Sequence, residues 1–551
     1  MRTSFLRVAC ALAAFGLAAP ALAQDEGGDA EEQGGAEEGG RHAEFVPYIE
    51  AMQVFTQELE PGNDSVTYTS VAAGIDASIT GRNSAASVSL RYERRFGWED
   101  DDIDGDTISG IARAGITVAE GLMLEAGGLA AQTRVEDNGF TSLGGFAGDD
   151  DSTSQIYSVY AGPSVHSSEG DVEVEGHYRL GYTRVEEPDA LVTAPGGAPV
   201  DIFDESTTHA AYARVGTRPN TVLPVGVGLG AGYTQQDVSN LDQRIVDGYV
   251  RADVTVPLSA NVALVGGIGY EDVEISSRDA VRDANGVPVI GDDGRYVTDE
   301  SEPRTIAYAT EGLIWDVGVM WRPSRRTSLE FYVGERYGTM TYRGSFSYAP
   351  DSRSSFNVSV YDDLTGFGGM MVDQLAGLPA EFDAFRNAIT GEIGGCVAAL
   401  EGNSCFASAL GSVRSAVFRS SGIASSYSVN LGRTQFGVGV GYDHREYIGA
   451  AGTVLEDVDG IADETIWFAA YAGTALDAVS SLSFNANASW FESELDLNND
   501  IIGFSSSLAY QRDLIRGLSG TAAVGLDGIS RENLPDFLSA SALLGLRYSF
   551  R

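Results

Sequence analysis

Apolar and polar residues alternate strictly along many short segments of this chain. In ASVSLRYERRFGW, one face carries Ala86, Val88, Leu90, Tyr92, Phe96 and Trp98, and the other carries Ser87, Ser89, Arg91, Glu93 and Arg95. Successive side chains of a β-strand point to opposite faces, so this pattern predicts a strand. In a soluble sandwich the apolar face packs a core, whereas in an outer-membrane barrel it meets lipid and the polar face lines a lumen. One segment leaves both architectures open.

The connections between the alternating segments decide between them. Short links recur at residues 81–83, 119–121, 167–170, 217–220, 259–261, 323–326, 432–434, 476–480 and 514–517. Longer and more acidic connections separate them, as at 99–106, 136–154 and 276–303. Short turns on one side and long loops on the other are typical of a transmembrane β-barrel. We therefore predict an all-β fold, a transmembrane up-and-down antiparallel β-barrel.

The short links also predict the number of strands. If they are periplasmic turns, each joins a descending strand to an ascending one, and the first and last strands complete an even total of about 20. Strand boundaries inferred from sequence are uncertain by a few residues, so the predicted range is about 18 to 22. Both termini then lie in the periplasm.

The amino terminus carries an export signal. Two arginines and an apolar run from Val8 to Ala19 precede Ala21-Leu22-Ala23, a small-x-small cleavage site. We interpret residues 1–23 as a signal peptide, because the apolar run is shorter than the about 20 residues of a membrane span. Residues 24–43, mostly acidic residues and glycine, predict a disordered periplasmic spacer.

Composition agrees with this export route. The formal net charge is -44, from 79 acidic and 35 basic residues, which excludes nucleic acid as a partner because phosphate binding needs a basic surface. The final segment, LSASALLGLRYSFR, alternates and resembles the closing strand of outer-membrane barrels. That resemblance implies that Tyr548 and Phe550 are an insertion signal for the barrel-insertion machinery. Arg551 follows Phe550 here, a departure from the pattern.

The predicted barrel, residues 44–551, contains an insertion at 339–423, the longest region without a clear barrel strand. Pro379 can start a helix, and apolar residues recur after it at helical spacing, so we expect the insertion to be partly helical. It is either a plug inside the lumen or an extracellular cap. The sequence leaves both alternatives open.

Two cysteines remain after the signal peptide is removed. Cys396 and Cys405 lie nine positions apart in the insertion. Exported proteins meet an oxidising compartment, so we expect a local disulfide that staples two parts of the insertion.

Charged residues at alternating positions are candidates for the lumen wall, because every second side chain of a barrel strand points inward. The candidate lumen-facing charges are Arg91, Glu93, Arg95, Arg113, Glu125, Glu173, Glu175, Arg179, Asp316, Arg322, Glu330 and Arg336. They either tune ion selectivity or form a cross-strand lattice of salt bridges. The inward glycines of GVGLGAG, and Gly437, Gly439 and Gly441, are expected to leave room in the lumen for a folded element.

The segments that resemble motifs of enzymes or cofactor sites each lack a required residue or spacing. The glycines of GVGLGAG repeat every two residues inside a strand, unlike a dinucleotide fingerprint. DDDIDGD at 100–106 is spaced like an EF-hand start, but Ile111 stands where the bidentate Glu is required. No histidine lies in a hydrolase motif. We predict no cofactor, no metal and no enzymatic activity, with an outer-membrane hydrolase as the least favoured alternative.

Three early segments resemble a known family. RHAEFVPYIEAMQVF, TYTSVAAGIDASITGR and VSLRYERRFGW are similar to an outer-membrane barrel family associated with PEP-CTERM sorting and exopolysaccharide loci. The resemblance covers about three strands and brings no catalytic residues. It implies a role in polysaccharide export or surface attachment, with a periplasmic or polysaccharide partner.

The residues thus predict a protein of the Gram-negative outer membrane, in contact with lipid and lipopolysaccharide. The first hypothesis is a porin-like channel for small solutes or ions, which predicts an open lumen. The alternative is a non-conducting envelope component linked to exopolysaccharide export or surface assembly, which predicts a closed lumen. Substrate and oligomeric state are not predicted.

Overall fold

The computed structural model describes residues 42–98, 105–135, 140–142, 153–168, 170–186, 202–398, 404–405, 409–494, 500–532 and 535–550. The predicted signal peptide and most of the predicted spacer lie outside these ranges. The strands are β1 His42–Glu60, β2 Ser65–Thr80, β3 Ser84–Gly97, β4 Asp106–Ala119, β5 Leu122–Val135, β6 Thr141–Ser142, β7 Thr153–Ser167, β8 Val172–Glu186, β9 Glu205–Thr217, β10 Gly226–Val238, β11 Gln243–Pro257, β12 Val262–Ser277, β13 Thr305–Ser324, β14 Thr327–Arg336, β15 Thr339–Asp351, β16 Ser354–Thr365, β17 Asp383–Arg386, β18 Ile393–Ala398, β19 Ser404–Cys405, β20 Phe418–Asn430, β21 Thr434–Tyr447, β22 Ala462–Ala475, β23 Ser480–Ser493, β24 Ile501–Ile515, β25 Leu518–Arg531 and β26 Phe537–Ser549. An α-helix, α1, spans Phe367–Ala376, and short 3-10 turns span Asn240–Asp242, Ala409–Gly411 and Val454–Val458.

Most of these strands form one closed antiparallel barrel. The large sheet contains 23 strands, of which the two-residue β6 only extends the edge of β5, so 22 strands form the ring. β26 pairs with β1 from Tyr48↔Ser549 to Glu60↔Leu538, which closes the ring. The predicted all-β antiparallel barrel is confirmed, with a strand number at the upper end of the expected range.

The sequence pattern predicts no barrel strand over residues 339–423, but one further hairpin of the ring lies there. β15 and β16 pair around a turn at residues 352–353, inside the region 339–423 that was interpreted as an insertion. Met340, Tyr342, Phe346 and Tyr348 alternate along β15, so its period was visible in the sequence. The part of the insertion that contributes no strand to the ring is shorter than predicted and spans residues 366–417.

The exposure of the β3 side chains shows which face of the strand lies in the lumen and which lies on the outer surface. Arg91, Glu93 and Arg95 are at most 5% exposed and point into the barrel, whereas Trp98 is 68% exposed on the outer surface. Leu313 and Leu544 are also more than two thirds exposed on the outside. A closed barrel with an apolar outer band satisfies its backbone polar groups internally and is solvated by lipid. The chain is therefore an outer-membrane β-barrel. Among the helices in the described ranges, none combines the length and the apolar composition needed to cross a bilayer.

Inward glycines make room for aromatic rings of the wall itself. Gly232 lies directly opposite Tyr249, and a Cβ on Gly232 would stand 2.3 Å from the tyrosine ring. Gly441 lies opposite Trp467 in the same way, at 2.6 Å. At these two positions, a side chain of the neighbouring strand fills the space that was predicted for a folded element.

A folded segment nevertheless occupies part of the lumen. We assign the end of the barrel with the short turns to the periplasm and the end with the long loops to the exterior, as in outer-membrane barrels. Residues 366–417, the luminal segment, connect the extracellular ends of β16 and β20, which are paired at Thr365↔Phe418. The segment contains α1 and a three-stranded sheet of β17, β18 and β19. The prediction of a helix that starts at Pro379 is wrong. The helix α1 ends before Pro379, and residues 383–386 form a strand. Its side chains bond to the barrel wall instead of repeating along a helix.

The luminal segment reaches from one end of the barrel to the other. Near the extracellular end, Arg414 pairs with Asp463 at 3.3 Å. Near the periplasmic end, Phe385 stacks on Tyr471 with 3.9 Å between ring centroids, and Asp383 accepts a hydrogen bond from Gln435 at 3.5 Å. The segment therefore lies inside the ring along most of its depth.

Candidate functional site

A cavity of about 1040 Å³ lies in the lumen beside the luminal segment. It is bounded by α1 on one side and by the wall strands β9–β11, β13–β16 and β20 on the other. Its lining runs from Tyr337, in the extracellular turn after β14, to Ser347 and Asn357, near the periplasmic turn at 352–353. The cavity thus extends along the barrel axis over most of the height of the barrel.

The cavity wall is strongly charged. It contains four arginines and six aspartates: Arg214, Arg251, Arg336, Arg343, Asp247, Asp253, Asp316, Asp362, Asp363 and Asp373. With all of these ionised, the cavity carries a net charge of -2. A lining of this kind keeps water and ions in the lumen, because charged groups are costly to desolvate.

Most of these charges form pairs between neighbouring strands. Arg214 donates to both oxygens of Asp253, at 3.0 and 2.7 Å. Arg251 joins Asp253 to Asp316, at 3.2 and 2.6 Å. The result is a continuous row of alternating charge from β9 to β13. Such a row holds the wall side chains in fixed positions along the cavity.

Three charged side chains in the cavity form no salt bridge within the described ranges: Arg343, Asp363 and Asp373. Arg343 projects from β15 and lies over the ring of Tyr332, 4.9 Å from its centroid. Asp373 projects from α1 on the other side of the cavity. These groups are available to a passing solute, since no partner neutralises them.

The luminal segment is fixed to the opposite wall by Arg386. Its guanidinium donates to the backbone oxygen and hydroxyl of Ser89, at 3.0 and 3.1 Å, and to the hydroxyl of Ser109 at 2.8 Å. It also donates to Gly391 O at 2.8 Å, within the segment itself. One side chain therefore joins the segment to β3 and β4.

The next residues extend this attachment to the other side of the ring seam. Asn387 donates to the hydroxyl of Ser505 at 3.0 Å, and the hydroxyl of Ser507 accepts from Ala388 N at 3.2 Å. Ile389 packs in a buried apolar cluster on the wall around β1, β2 and β24–β26, whose other fully buried members are Val54, Tyr68, Ala509, Ala523 and Leu543. Polar and apolar contacts together hold this part of the segment.

Glu392 is the most unusual carboxylate of the segment. It is 2% exposed, and one of its oxygens accepts a hydrogen bond from Gln132 N at 3.1 Å. Its other oxygen, Oε1, has no hydrogen-bond partner within the described ranges. Burial raises the pKa of Glu392 to about 7, against the opposing effects of that hydrogen bond and of Arg386.

The extracellular part of the segment is fixed by two further arginines. Arg445 of β21 donates to Ser412 O at 3.1 Å and to Asp443 at 2.7 Å. Arg414 of the segment donates to the hydroxyl of Ser493 at 3.1 Å, beside its salt bridge to Asp463. The segment is thus attached at both ends of its path through the barrel.

The charges predicted to face the lumen divide into several groups. On the wall behind the luminal segment, Arg91 pairs with Glu50 at 3.1 Å, Glu93 accepts from Arg95 at 3.1 Å, and Arg113 pairs with Glu125 at 2.7 Å. In the cavity lie Asp316 and Arg336, and Arg336 pairs with Asp247 and Glu271 at 2.9 and 3.0 Å.

On β8, Glu175 accepts from Tyr212 at 3.1 Å, Glu173 pairs with Arg218 at 3.4 Å, and Arg179 lies on the same inward row. Arg322 pairs with Glu330 near the periplasmic end. The roles in selectivity or wall stability stay predictions.

Several residues of the site do not follow from the sequence pattern. Arg386 and Glu392 lie in the predicted insertion, but nothing in the local pattern shows which wall residues they meet. Arg343 and Asp363 lie on β15 and β16, the hairpin that was not recognised. The alternation of β15 and β16 was the signal that could have identified these two.

The two cysteines lie in the small sheet of the luminal segment. Cys396 is opposite Cys405 in the β18–β19 ladder, and Cys396 is disulfide-bonded. The predicted bridge between the two stays a prediction, which thiol titration of the folded protein tests. At the carboxyl terminus, the rings of Tyr548 and Phe550 meet edge to face on the outer surface, 5.0 Å apart. Their role as an insertion signal also stays a prediction.

The chain was compared with known proteins. No family model matches it and no curated protein matches it, so the similarity to the PEP-CTERM-associated family stays a prediction. Solved structures similar to it include the FrpB iron transporter from Neisseria meningitidis (F3-3 variant; 10% identity, 92% of this chain and 81% of that chain, TM-score 0.41). Others are the closed form of the ferric-catecholate import receptor Fiu from E. coli K12 (9%, 92% and 82%, 0.41) and the copper transporter OprC (11%, 92% and 81%, 0.36). Likeness at these identities and TM-scores carries no argument about function.

Within the described ranges, no group of three or more metal-ligating side chains is placed to hold an ion.

Proposed function

We propose that this protein is an outer-membrane channel for small polar or charged solutes, and that the luminal segment restricts the passage. The observation that carries the proposal is the charged cavity along the barrel axis, between α1 and strands β9–β11 and β13–β16. Transport is the function that such a hydrated path through an apolar membrane supports best.

The size of the cavity limits the solutes that pass. A volume of about 1040 Å³ holds on the order of thirty water molecules at the about 30 Å³ that each occupies in the liquid. Ions and small hydrated metabolites fit in this space, whereas folded proteins do not. Arg343 and Asp373 offer charges of both signs to such a solute.

The attachment of the luminal segment indicates a restricted channel instead of a wide pore. Its contacts extend over β1–β5, β7–β11 and β21–β26, so it fills the part of the lumen that the cavity leaves. Removing it would join the cavity to the space it occupies. We expect the intact channel to conduct weakly and the emptied barrel to conduct strongly.

Single-channel conductance in planar bilayers tests the proposal. The refolded protein is compared with a variant in which residues 367–416 are replaced by a short Gly-Ser linker. The replacement is geometrically feasible because Thr365 and Phe418 are already paired. A matched control deletes residues 283–287, the tip of an extracellular hairpin. We expect small steps from the intact protein and the control, and large steps from the linker variant.

The alternative, a non-conducting component of polysaccharide export or surface assembly, is favoured by one observation: the segment runs through most of the barrel depth. Silence of both the intact protein and the linker variant, with normal heat-modifiable folding of each, would contradict the channel. It would favour this alternative.

A further inference from the structure

Neighbouring periplasmic turns carry a cluster of arginines. Arg325 and Arg326 form the turn between β13 and β14, Arg353 lies in the turn between β15 and β16, and Arg433 lies between β20 and β21. We call these four residues the arginine arc. Their turns are consecutive along the ring, since β13 to β16 pair in order and β16 pairs with β20.

Backbone hydrogen bonds connect the turns of the arc directly. Arg326 O accepts from Ala349 N at 2.8 Å, at the end of β15. Arg353 O accepts from Asn430 N at 2.7 Å, at the end of β20. The arc is therefore a continuous stretch of the periplasmic rim and not a set of scattered residues.

The described residues do not neutralise the arc by ion pairs. All four side chains are exposed, and none forms a salt bridge within the part of the chain that the structure describes. The nearest acidic residue in sequence, Asp351, uses one carboxylate oxygen to accept from Arg353 N and from the hydroxyl of Ser354. A concentrated positive rim is unexpected in a chain whose net charge is -44. It indicates an external anion.

The height of the arc on the barrel identifies the anion. Trp321, Tyr348 and Tyr427 lie on the outward face of the same hairpins and are 37 to 42% exposed. Aromatic residues in this position mark the boundary between hydrocarbon and headgroups. The arginines lie four to six residues beyond these rings along the chain, at about 3.3 Å per residue before strand tilt, which brings them to the headgroup layer.

We propose that the arginine arc binds the phosphate groups of anionic phospholipids in the inner leaflet of the outer membrane. A guanidinium presents paired donors that match phosphate oxygens, and clusters of basic residues at a membrane surface recognise anionic headgroups. Lipopolysaccharide lies in the other leaflet, at the opposite end of the strands. An acidic periplasmic protein is the competing partner, but it would have to approach a surface already at the headgroup layer.

Native mass spectrometry of the detergent-solubilised mature protein tests this assignment. Phosphatidylglycerol and phosphatidylcholine are titrated separately, and the affinity of each is measured. The test variant is R325Q/R353Q/R433Q, with one substitution in each turn. The control, R94Q/R244Q/R282Q, removes the same charge from exposed arginines outside the arc, each in a surface salt bridge of little energetic value.

We expect the wild type and the control to prefer phosphatidylglycerol, and the arc variant to lose about fivefold in affinity for each arginine removed. Added salt should weaken the wild-type preference in the same direction. Heat-modifiable migration confirms that each variant is folded. A preference that survives in the arc variant would overturn the assignment. A wild type that binds both lipids equally would also overturn it and leave an acidic protein as the partner.

Discussion

Arg386 of the luminal segment donates two hydrogen bonds to Ser89 of β3, one to the backbone oxygen at 3.0 Å and one to the hydroxyl at 3.1 Å. The two residues are 297 positions apart in the chain. This contact is made between a charged side chain and a strand far away in sequence, and it fixes the middle of the segment to the barrel wall.

Substitution of Arg386 should release the segment without unfolding the barrel. In R386A, the oxygens of Ser89, Ser109 and Gly391 lose their donor, at a cost of about 3 kcal/mol for charge-assisted hydrogen bonds. That corresponds to about a hundredfold rise in the population of released segment. Single-channel recording should show more frequent large openings. R82A, an exposed arginine in a periplasmic turn, is the control and should behave as the wild type. Equal open probability in R386A and wild type would contradict the role of this contact.

Glu392 should make the attachment of the segment depend on pH. Burial raises its pKa from an ordinary value near 4.5 to about 7 in the folded protein. Between these values the attached state holds a proton that the released state does not, so attachment is strongest below about pH 4.5 and weakens as pH rises through 7. We expect large openings to become more frequent from pH 5 to pH 8.

The variant E392Q provides the comparison for this pH dependence. The amide stays neutral, so its open probability should be the same at both pH values. A wild type whose openings decrease with rising pH, or an E392Q variant that keeps the full dependence, would show that another group titrates.

Ion selectivity should follow the uncompensated charges of the cavity. The net charge of -2 predicts a modest preference for cations. One unit charge about 8 Å from a passing ion in water contributes about 0.5 kcal/mol, a factor of about two in permeability. We expect D373N to reduce the cation preference and R343Q to increase it, each by about this factor.

Reversal potentials in a salt gradient measure these changes. R82Q is the matched control, because Arg82 is an exposed residue of a periplasmic turn and does not line the cavity. If D373N and R343Q shift the reversal potential in the same direction, the cavity is not the conducting path.

The close approach of Gly232 and Tyr249 should contribute to barrel stability. A methyl group at Gly232 would stand 2.3 Å from the ring, so G232A must displace Tyr249 from its contact with Arg336, whose guanidinium lies 4.6 Å from the ring centroid. We expect a loss of about 1 to 3 kcal/mol in the free energy of unfolding. Urea titration followed by gel mobility measures it. In G266A, the new methyl group meets nothing within 4 Å, and stability should be unchanged. Equal stability of the two variants would refute the packing argument.

The barrel could be predicted from the sequence because its determinants are local. Alternation over β3 and the short turns identify strands one at a time, and closure then follows from the topology. The β15–β16 hairpin is harder to predict, because Gly344 interrupts the apolar row of Met340, Tyr342, Phe346 and Tyr348 along β15.

The site is less accessible to sequence reasoning, because its contacts are not local. The partner of Arg386 is set by how the ring folds around the segment, and no pattern near residue 386 points to Ser89. The same holds for Asp373 and Arg343, which line one cavity only after β15 and α1 are in place. Inward charges could be recognised by their period, but which of them remain uncompensated could not.

The luminal segment is continuous at both ends with adjacent strands, β16 and β20, whose extracellular ends are paired. It therefore behaves as a loop with two fixed ends and not as a stopper on a single tether. Such a loop cannot leave through the periplasmic opening, and a path can be cleared only by rearrangement within the lumen or by withdrawal toward the cell exterior. Any periplasmic factor that regulates passage would have to act on the lowest part of the loop, around Asp383 and Phe385.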